Sequence, residues 1–370
     1  MTALSVLWID HTGAPGGGQL GLGRYLQASS DTKRELVLFD GGSLVDTATE
    51  AGVAMTVLGR GRGRLRAVFS GMRARGVIRA RRPDLVVANS LRVGNVLALT
   101  PRVKGTKRVL YVREDLSRRS LGWRKHTFIT RFVLRRFDAL LVNSPSTLAT
   151  IPGGIRRSRP VEVAYPVSGI PPVAPSTADE PRVDAQPFEV ISLSRLQPWK
   201  GVHVLLDAIR IARNEAPGIP LRIVIAGGGE MSDDVYEAEL RRLADATGVE
   251  TVMNGHIDDV WQPLEHAHVL ALCSLSPESF GQVLPQAMSV GPVPIATDQG
   301  GPRDVLSDGG GLLVPPDDSH ALARAILDLA ADRSRWQKES RRARERAADF
   351  TDDHTVAALD AALARIRAAL

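Results

Sequence analysis

FEVISL (residues 188–193) runs straight into SRLQPWKG (residues 194–201). The first six residues form a short, largely apolar run that reads as a buried strand. The loop after it carries two cations, Arg195 and Lys200, five positions apart. Open parallel sheets bind their ligands outside the carboxyl ends of the strands, so the pair stands where an anion is met. A planar guanidinium grips two oxygens of a diphosphate, and an ammonium supplies a compact point charge. Two solvated loop cations would look the same in isolation, and the residues further out decide between the readings.

In both directions short apolar runs alternate with amphipathic helical patterns, which predicts parallel sheets covered by helices. The expected strands are 5–9, 35–39, 85–88, 108–112 and 139–142 in the first half, and 188–193, 221–226, 269–273 and 293–296 in the second. A stretch dense in Pro, Ser and acidic residues, 166–187, separates the halves. The expectation is a Rossmann-like domain over 1–167, a linker over 168–187 and a second Rossmann-like domain over 188–349. The length of 370 residues, more than twice that of an ordinary domain, agrees with two. A final helix over 353–370 aligns Val356, Leu359, Leu363, Ile366 and Leu370 on one face. Its periodicity does not say which domain that face covers.

Apolar residues make up 44% of the chain and charged residues 24%, enough for a sizeable core and too little bias for global disorder. No run approaches the ~18 consecutive apolar residues of a membrane-spanning helix, and no basic leader precedes the first strand, so a cytoplasmic protein is expected. A single cysteine, Cys273, excludes an intrachain disulfide and a thiolate zinc cage. The formal charge of +6 is unevenly placed: residues 60–82 hold nine arginines and no acid, and a second basic run spans 118–136. A solvated face, an anionic substrate and peripheral contact with an anionic membrane are the readings of such runs. Nucleic acid is not expected, because aromatics are only 5% of the chain and the basic runs read as lacking interleaved stacking residues.

Two further stretches carry chemistry. In HTGAPGGGQLGLG (residues 11–23), Gly16, Gly18 and Gly21 satisfy the G-x-G-x-x-G dinucleotide pattern, with Asp40 placed as a ribose-binding acid would be. In that fingerprint the first glycine follows the strand almost at once, whereas residues 11–15 intervene here. A looser loop offering backbone N–H groups to an anion at a helix N-terminus fits better, beside a purely structural turn. SPESFGQVLPQAM (residues 276–288) sets an acid, an aromatic and a glycine between a strand and a helix. Glu278 there faces neutral hydroxyls or caps the helix locally, the helix N-terminus presents N–H groups to phosphate, and the Gln286 amide can both donate and accept.

Taken in order, SRLQPWKG, the glycine turn AGGG (226–229), Asn254-Gly255-His256 and PESFGQVLPQAMSVGPVPIATDQGGPRDVL (277–306) resemble the retaining nucleotide-sugar glycosyltransferases of glycosyltransferase family 4. The resemblance is close from residue 190 to about 329 and looser before it. It implies the α/β GT-B fold: two facing Rossmann-like parallel-sheet domains with a cleft between them, the first taking the acceptor and the second the donor. The terminal helix, within 350–370, would pack back on the N-terminal domain. Arg195 and Lys200 match the pair that holds the donor diphosphate and supports the leaving group. Glu278 matches the acid that meets the transferred sugar, and it forms with those two cations the implied catalytic set. Ser279, Phe280, Gly281, Gln282 and Val283 match the loop whose backbone reaches sugar and phosphate. Asn254, Gly255 and His256 resemble the turn beside the base, and Gly17 and Gly18 the N-terminal loop that approaches the diphosphate.

The chain departs from the family pattern twice. Gln286 stands where the pattern has a glutamate on the ribose hydroxyls. The segment LYVRED (110–115) lacks the histidine that many members carry near the reacting sugar, so Arg113 and Glu114 are the acceptor or sugar contacts in its place, with His11 and His126 as substitutes. The implied activity is transfer of a hexose from a nucleoside diphosphate sugar to the hydroxyl of a glycolipid, polysaccharide or small molecule, with retained configuration and no metal or other cofactor. A degenerate coupling enzyme or epimerase on the same fold, and a non-catalytic nucleotide-sugar-binding protein, are the alternatives.

Overall fold

The computed structural model describes residues 4–59, 66–171, 187–228 and 233–370. The chain divides into two compact units, Met1–Gly169 with Thr351–Leu370, and Ile170–Phe350. The first unit holds seven parallel strands: β1 (Leu4–Asp10), β2 (Thr32–Leu38), β3 (Ala54–Val57), β4 (Leu85–Ala88), β5 (Lys107–Val112), β6 (Ala139–Val142) and β7 (Val161–Val163), in the order β3-β2-β1-β4-β5-β6-β7. The second holds six: β8 (Phe188–Leu193), β9 (Leu221–Ala226), β10 (Glu250–Gly255), β11 (Val269–Leu272), β12 (Val293–Thr297) and β13 (Leu312–Val314), in the order β10-β9-β8-β11-β12-β13. Both are doubly wound α/β sheets, as the alternation of patterns predicts.

The nine strands visible in the sequence are the nine inner ones. The four it did not reveal, β3, β7, β10 and β13, are the four sheet edges. Inner strands of a helix-covered parallel sheet are buried on both faces and read as continuous apolar runs; β4 (LVVA) and β6 (ALLV) are buried at every position. Edge strands are covered on fewer sides and need no such run. β7 (VEV) has no fully buried residue, and in β10 (ETVMNG) two of the six are exposed.

Within the first unit, the terminal helix Asp352–Ala369 packs on the helix Gly17–Ala28 and on β7. Its Val356, Leu359, Leu363 and Ile366 join the core cluster of Trp8, Tyr25 and Leu26. Asp360 lies on the same buried face, and accepts hydrogen bonds from Tyr25 Oη at 2.5 Å and Ser29 Oγ at 2.8 Å. Burial pushes its carboxyl above the usual carboxylate range. The periodicity of this helix did not reveal that a carboxylate belongs to its apolar face.

The linker expected over 168–187 begins as packed chain, because Ser168 and Ile170 are fully buried; residues 172–186 of it lie outside the described residues. Residues 60–65 of the first arginine run also lie outside them. The rest forms the helix Arg66–Arg81, which turns Ala74 and Ile78 into the core. Part of its charge is used within the unit: Arg73 donates to the Leu58 carbonyl at 2.8 Å, and Arg81 pairs with Glu35 at 3.3 Å.

Candidate functional site

In the second sheet the winding reverses between β8 and β11. Loops leaving the carboxyl ends of two such strands turn to opposite faces and open a crevice. After β8 the chain makes a short turn, Pro198–Lys200, and reaches Gly201 at φ 67°. A Cβ there would stand 2.1 Å from the Cys273 carbonyl oxygen, so only glycine allows this approach. Leu275 N–H donates to the Trp199 carbonyl at 2.7 Å and stitches the two loops together. The Cys273 thiol beneath is buried, which pushes it up to about 12 and leaves it a packing group.

This stitching sets Lys200 Nζ on Glu278 Oε1. Ser274 Oγ donates to the same oxygen at 2.7 Å, leaving Oε2 without a partner among the described residues. The pair is nearly buried, with side chains 12% and 14% exposed. Trp199 lies beside both cations: Lys200 Nζ is 4.3 Å and the Arg195 guanidinium 5.9 Å from its ring centroid. The acidic loop is fixed from the far side by the turn after β12. Gly301 N–H donates to the Glu278 carbonyl at 2.7 Å, and a Cβ on Gly300 would sit 2.2 Å from that carbonyl oxygen. Thr297 Oγ1 and Gln299 Nε2 both donate to the Ser274 carbonyl, at 2.9 and 2.7 Å.

Beyond Glu278 and Ser279, Phe280 is buried edge-on to Phe350 with centroids 5.9 Å apart, and Gly281 turns the chain at φ 85°. Gln282 is the N-cap residue of the helix Val283–Val290 and makes no side-chain capping bond. Gln286, inside that helix, is only 5% exposed. Asn254 and Gly255 end the edge strand β10 at a bulge, with His256 just beyond it, and the Gly255 carbonyl accepts from Gly227 N–H at 2.7 Å. Asn254 and His256 are exposed; Gly229 of the neighbouring turn lies outside the described residues.

The first sheet reverses between β1 and β4, and a polar cluster stands at the ends of those strands. Asp10, fully buried, accepts from His11 Nδ1 at 2.7 Å, Gln19 Nε2 at 3.0 Å and Asn89 Nδ2 at 2.6 Å. Gly17 and Gly18, expected in a loop, are instead the first two residues of the helix Gly17–Ala28, with Gly16 as its N-cap. Six residues separate β1 from that helix, which removes the tight turn a dinucleotide fingerprint requires. A Cβ on Gly18 would lie 3.7 Å from Arg113 Cδ, and the Arg113 guanidinium covers the Tyr111 ring at 4.0 Å. Glu114 Oε2 is buried and has no hydrogen-bond partner among the described residues, and burial pushes this carboxyl up. His126 Nδ1 is held by the Leu116 carbonyl at 2.6 Å, a structural bond.

Sequence reasoning missed Ser274 and the group of Asp10, Gln19 and Asn89. The available signal was a polar residue closing an apolar strand: Asp10 after LSVLWI, Asn89 after LVVA, and Ser274 after VLALC. Among the described residues no group of three or more His, Cys, Asp or Glu side chains is placed to hold a metal ion, and no helix is long and apolar enough to cross a membrane.

Residues 176–350, which contain Arg195, Lys200 and Glu278, match the family model of glycosyl transferases group 1. The chain is 35% identical over 164 residues to a phosphatidyl-myo-inositol mannosyltransferase of Mycolicibacterium smegmatis, covering 42% of this chain and 40% of that protein. It is 30% identical over 209 residues to a D-inositol 3-phosphate glycosyltransferase of Corynebacterium urealyticum, covering 53% and 49%. The chain thus spans about half the length, or less, of these curated relatives. Its structure is similar to that of Anabaena Alr3699/HepE in complex with UDP and glucose, with a TM-score of 0.82 over 99% of this chain and 100% of that one, at 22% identity. The fold is GT-B. Both GT-B sheets carry their polar clusters at the reversal of strand order, where this architecture binds ligands.

Proposed function

We propose that this chain is a retaining glycosyltransferase of the family 4 type, moving a hexose from a nucleoside diphosphate sugar to an acceptor hydroxyl. The observation that carries the proposal is the Lys200–Glu278–Ser274 arrangement at the β8/β11 reversal, within the region that matches glycosyl transferases group 1. As the bond from the sugar to the diphosphate breaks, negative charge grows on the departing phosphate oxygen. Lys200 and Arg195 supply fixed positive charge for it, and charge already in place needs no reorganisation during the reaction. Glu278 Oε1 is held by Lys200 and Ser274, and Oε2 accepts from hydroxyls of the transferred sugar. Gln286 and the turn Asn254-Gly255-His256 take the ribose and base, Gly17 and Gly18 offer a helix N-terminus to the diphosphate, and Arg113 and Glu114 meet the acceptor. The acceptor proton leaves with the phosphate, and the new bond forms on the face the phosphate vacates. Retention rests on the resemblance of the Glu278 loop to that of the family, and no metal enters the scheme. The single buried thiol is in keeping with a reducing, cytoplasmic setting.

The test is a thermal-shift screen of UDP, GDP, ADP and TDP and their sugars, followed by nucleoside diphosphate release with hydroxyl acceptors. A donor at about 100 times its Kd stabilises the fold by about 2.7 kcal/mol. Binding without release across the acceptors would favour a non-catalytic nucleotide-sugar-binding protein. Failure of every nucleotide to bind would refute the donor site.

A further inference from the structure

The second basic run, residues 118–136, is left unused by the proposed chemistry. Its first part is the helical segment Arg118–Phe128, kinked at Gly122 (φ 71°), and none of its residues is buried. Leu121 packs against the core and His126 is held by the Leu116 carbonyl, and the chain enters the core fully at Ile129, Val133 and Leu134. All seven Lys and Arg residues between 118 and 136 are exposed, and none pairs with an acid among the described residues. Trp123 is 65% and Phe128 43% exposed. Phe128 stacks on Phe132 with centroids 5.4 Å apart, and the Arg124 guanidinium lies 5.3 Å from the Trp123 ring centroid. The reading that no aromatic interleaves the basic runs is therefore corrected here. The first run differs, since Arg73 and Arg81 are engaged inside the unit.

An indole and a phenyl ring left in water beside unpaired cations mark a surface made for a partner that is apolar and anionic together. An anionic lipid surface meets both demands: its phosphates face the cations, and its headgroup region is where indole rings settle. Nucleic acid also stacks on aromatic rings. The same helical layer favours lipid, because it exposes Leu99 at 58%, an unstacked aliphatic side chain that suits hydrocarbon. The inward residues Leu91, Val93 and Leu97 of its helix, Leu91–Leu99, share one core cluster with Ile129 and Val133.

We propose that the helix Arg118–Phe128 docks the first unit on an anionic lipid surface, with Trp123 and Phe128 entering the headgroup region. This deepens the transferase reading by placing its acceptor at a membrane. The test reads lipid binding alone, so its failure leaves that reading standing, and failure of nucleotide binding leaves this one standing.

The full chain is floated with phosphatidylcholine–phosphatidylglycerol vesicles and with phosphatidylcholine alone. Binding is expected to the mixed vesicles at low salt, with release by salt, a blue shift of tryptophan emission, and quenching by brominated lipid. Trp123→Phe should remove the shift and the quenching. The triple variant Arg118→Glu/Arg119→Glu/Arg124→Glu should weaken partitioning by about a hundredfold or more, because each cation near such a surface contributes about fivefold. Arg79→Glu/Arg82→Glu, in the first run, should leave it nearly unchanged. Unaltered thermal unfolding shows that each variant is folded, and the quenching of wild-type protein tests the proposal without any variant. The proposal is overturned by absence of flotation at low salt, by quenching that persists in Trp123→Phe, or by loss of binding in the Arg79/Arg82 variant alone. Retention of single-stranded RNA without vesicle binding would reassign the surface to nucleic acid.

Discussion

Replacing Lys200 by methionine keeps an unbranched, apolar stem and removes the ammonium that holds Glu278. Breaking a fully buried ion pair from one side costs about 3–5 kcal/mol because it strands a charge, whereas exposed pairs contribute about 1 kcal/mol at most. Lys200 and Glu278 are 12% and 14% exposed, and Ser274 Oγ still donates to the carboxylate at 2.7 Å. The expected loss lies between those limits, about 2 kcal/mol. For a unit of this size each kcal/mol moves Tm by about 2–4 °C, so a fall of about 4–8 °C should appear in calorimetry. Turnover should fall further, by about 2–4 kcal/mol in kcat/KM, the range for removing a fixed charge from a transition state. The decisive comparison adds Glu278→Gln to Lys200→Met. Removing the stranded charge should return most of the lost Tm, since neutral replacement of both partners is often close to neutral in stability, while turnover stays low. Strictly additive losses in the double variant would show that the two side chains do not act as a pair. Unchanged kcat/KM in Lys200→Met would remove the cation from the donor site.

Arg195 is exposed, so Arg195→Ala should change unfolding by less than about 0.5 kcal/mol, yet lower kcat/KM by about 2–4 kcal/mol; equal kinetics would exclude a diphosphate contact. Gln286→Glu buries a carboxylate at a site only 5% exposed, and should lower the Tm of the ligand-free protein. With the cognate donor, charge-assisted bonds to the ribose should tighten calorimetric binding by about fivefold, about 1 kcal/mol; equal or weaker binding would show that the amide is matched to this pocket. Glu114 has its carboxyl pushed up by burial, so the folded state binds the proton more readily than the unfolded one, and stability falls as pH rises from the ordinary carboxylate range through the raised value. Glu114→Gln should therefore gain stability over wild type at pH 7 relative to pH 4 in urea unfolding. A difference between the proteins that is the same at both pH values contradicts the burial of an ionising group there.

The sequence by itself determined the fold class, because a doubly wound sheet writes its inner strands as apolar runs such as LVVA and VLAL. It also singled out the residues proposed here for the donor: Arg195, Lys200 and Glu278 stand in loops just after strands, where polar residues mark the ligand-binding edge. It left the edges blank, since β3, β7, β10 and β13 are covered on fewer sides and lack that pattern. The meeting of these residues was decided by tertiary structure alone. Lys200 and Glu278 are 78 positions apart, and come together only because β8 and β11 are neighbours and Gly201 lets the backbone close on Cys273. Asp10 and Asn89, 79 positions apart, meet because β1 pairs with β4. The terminal helix is the clearest division. Its period of three and four fixes which face is buried, a local property of the chain, but Asp360 finds Tyr25 across 335 positions, and no local pattern can specify a partner that packing brings from the other end of the molecule.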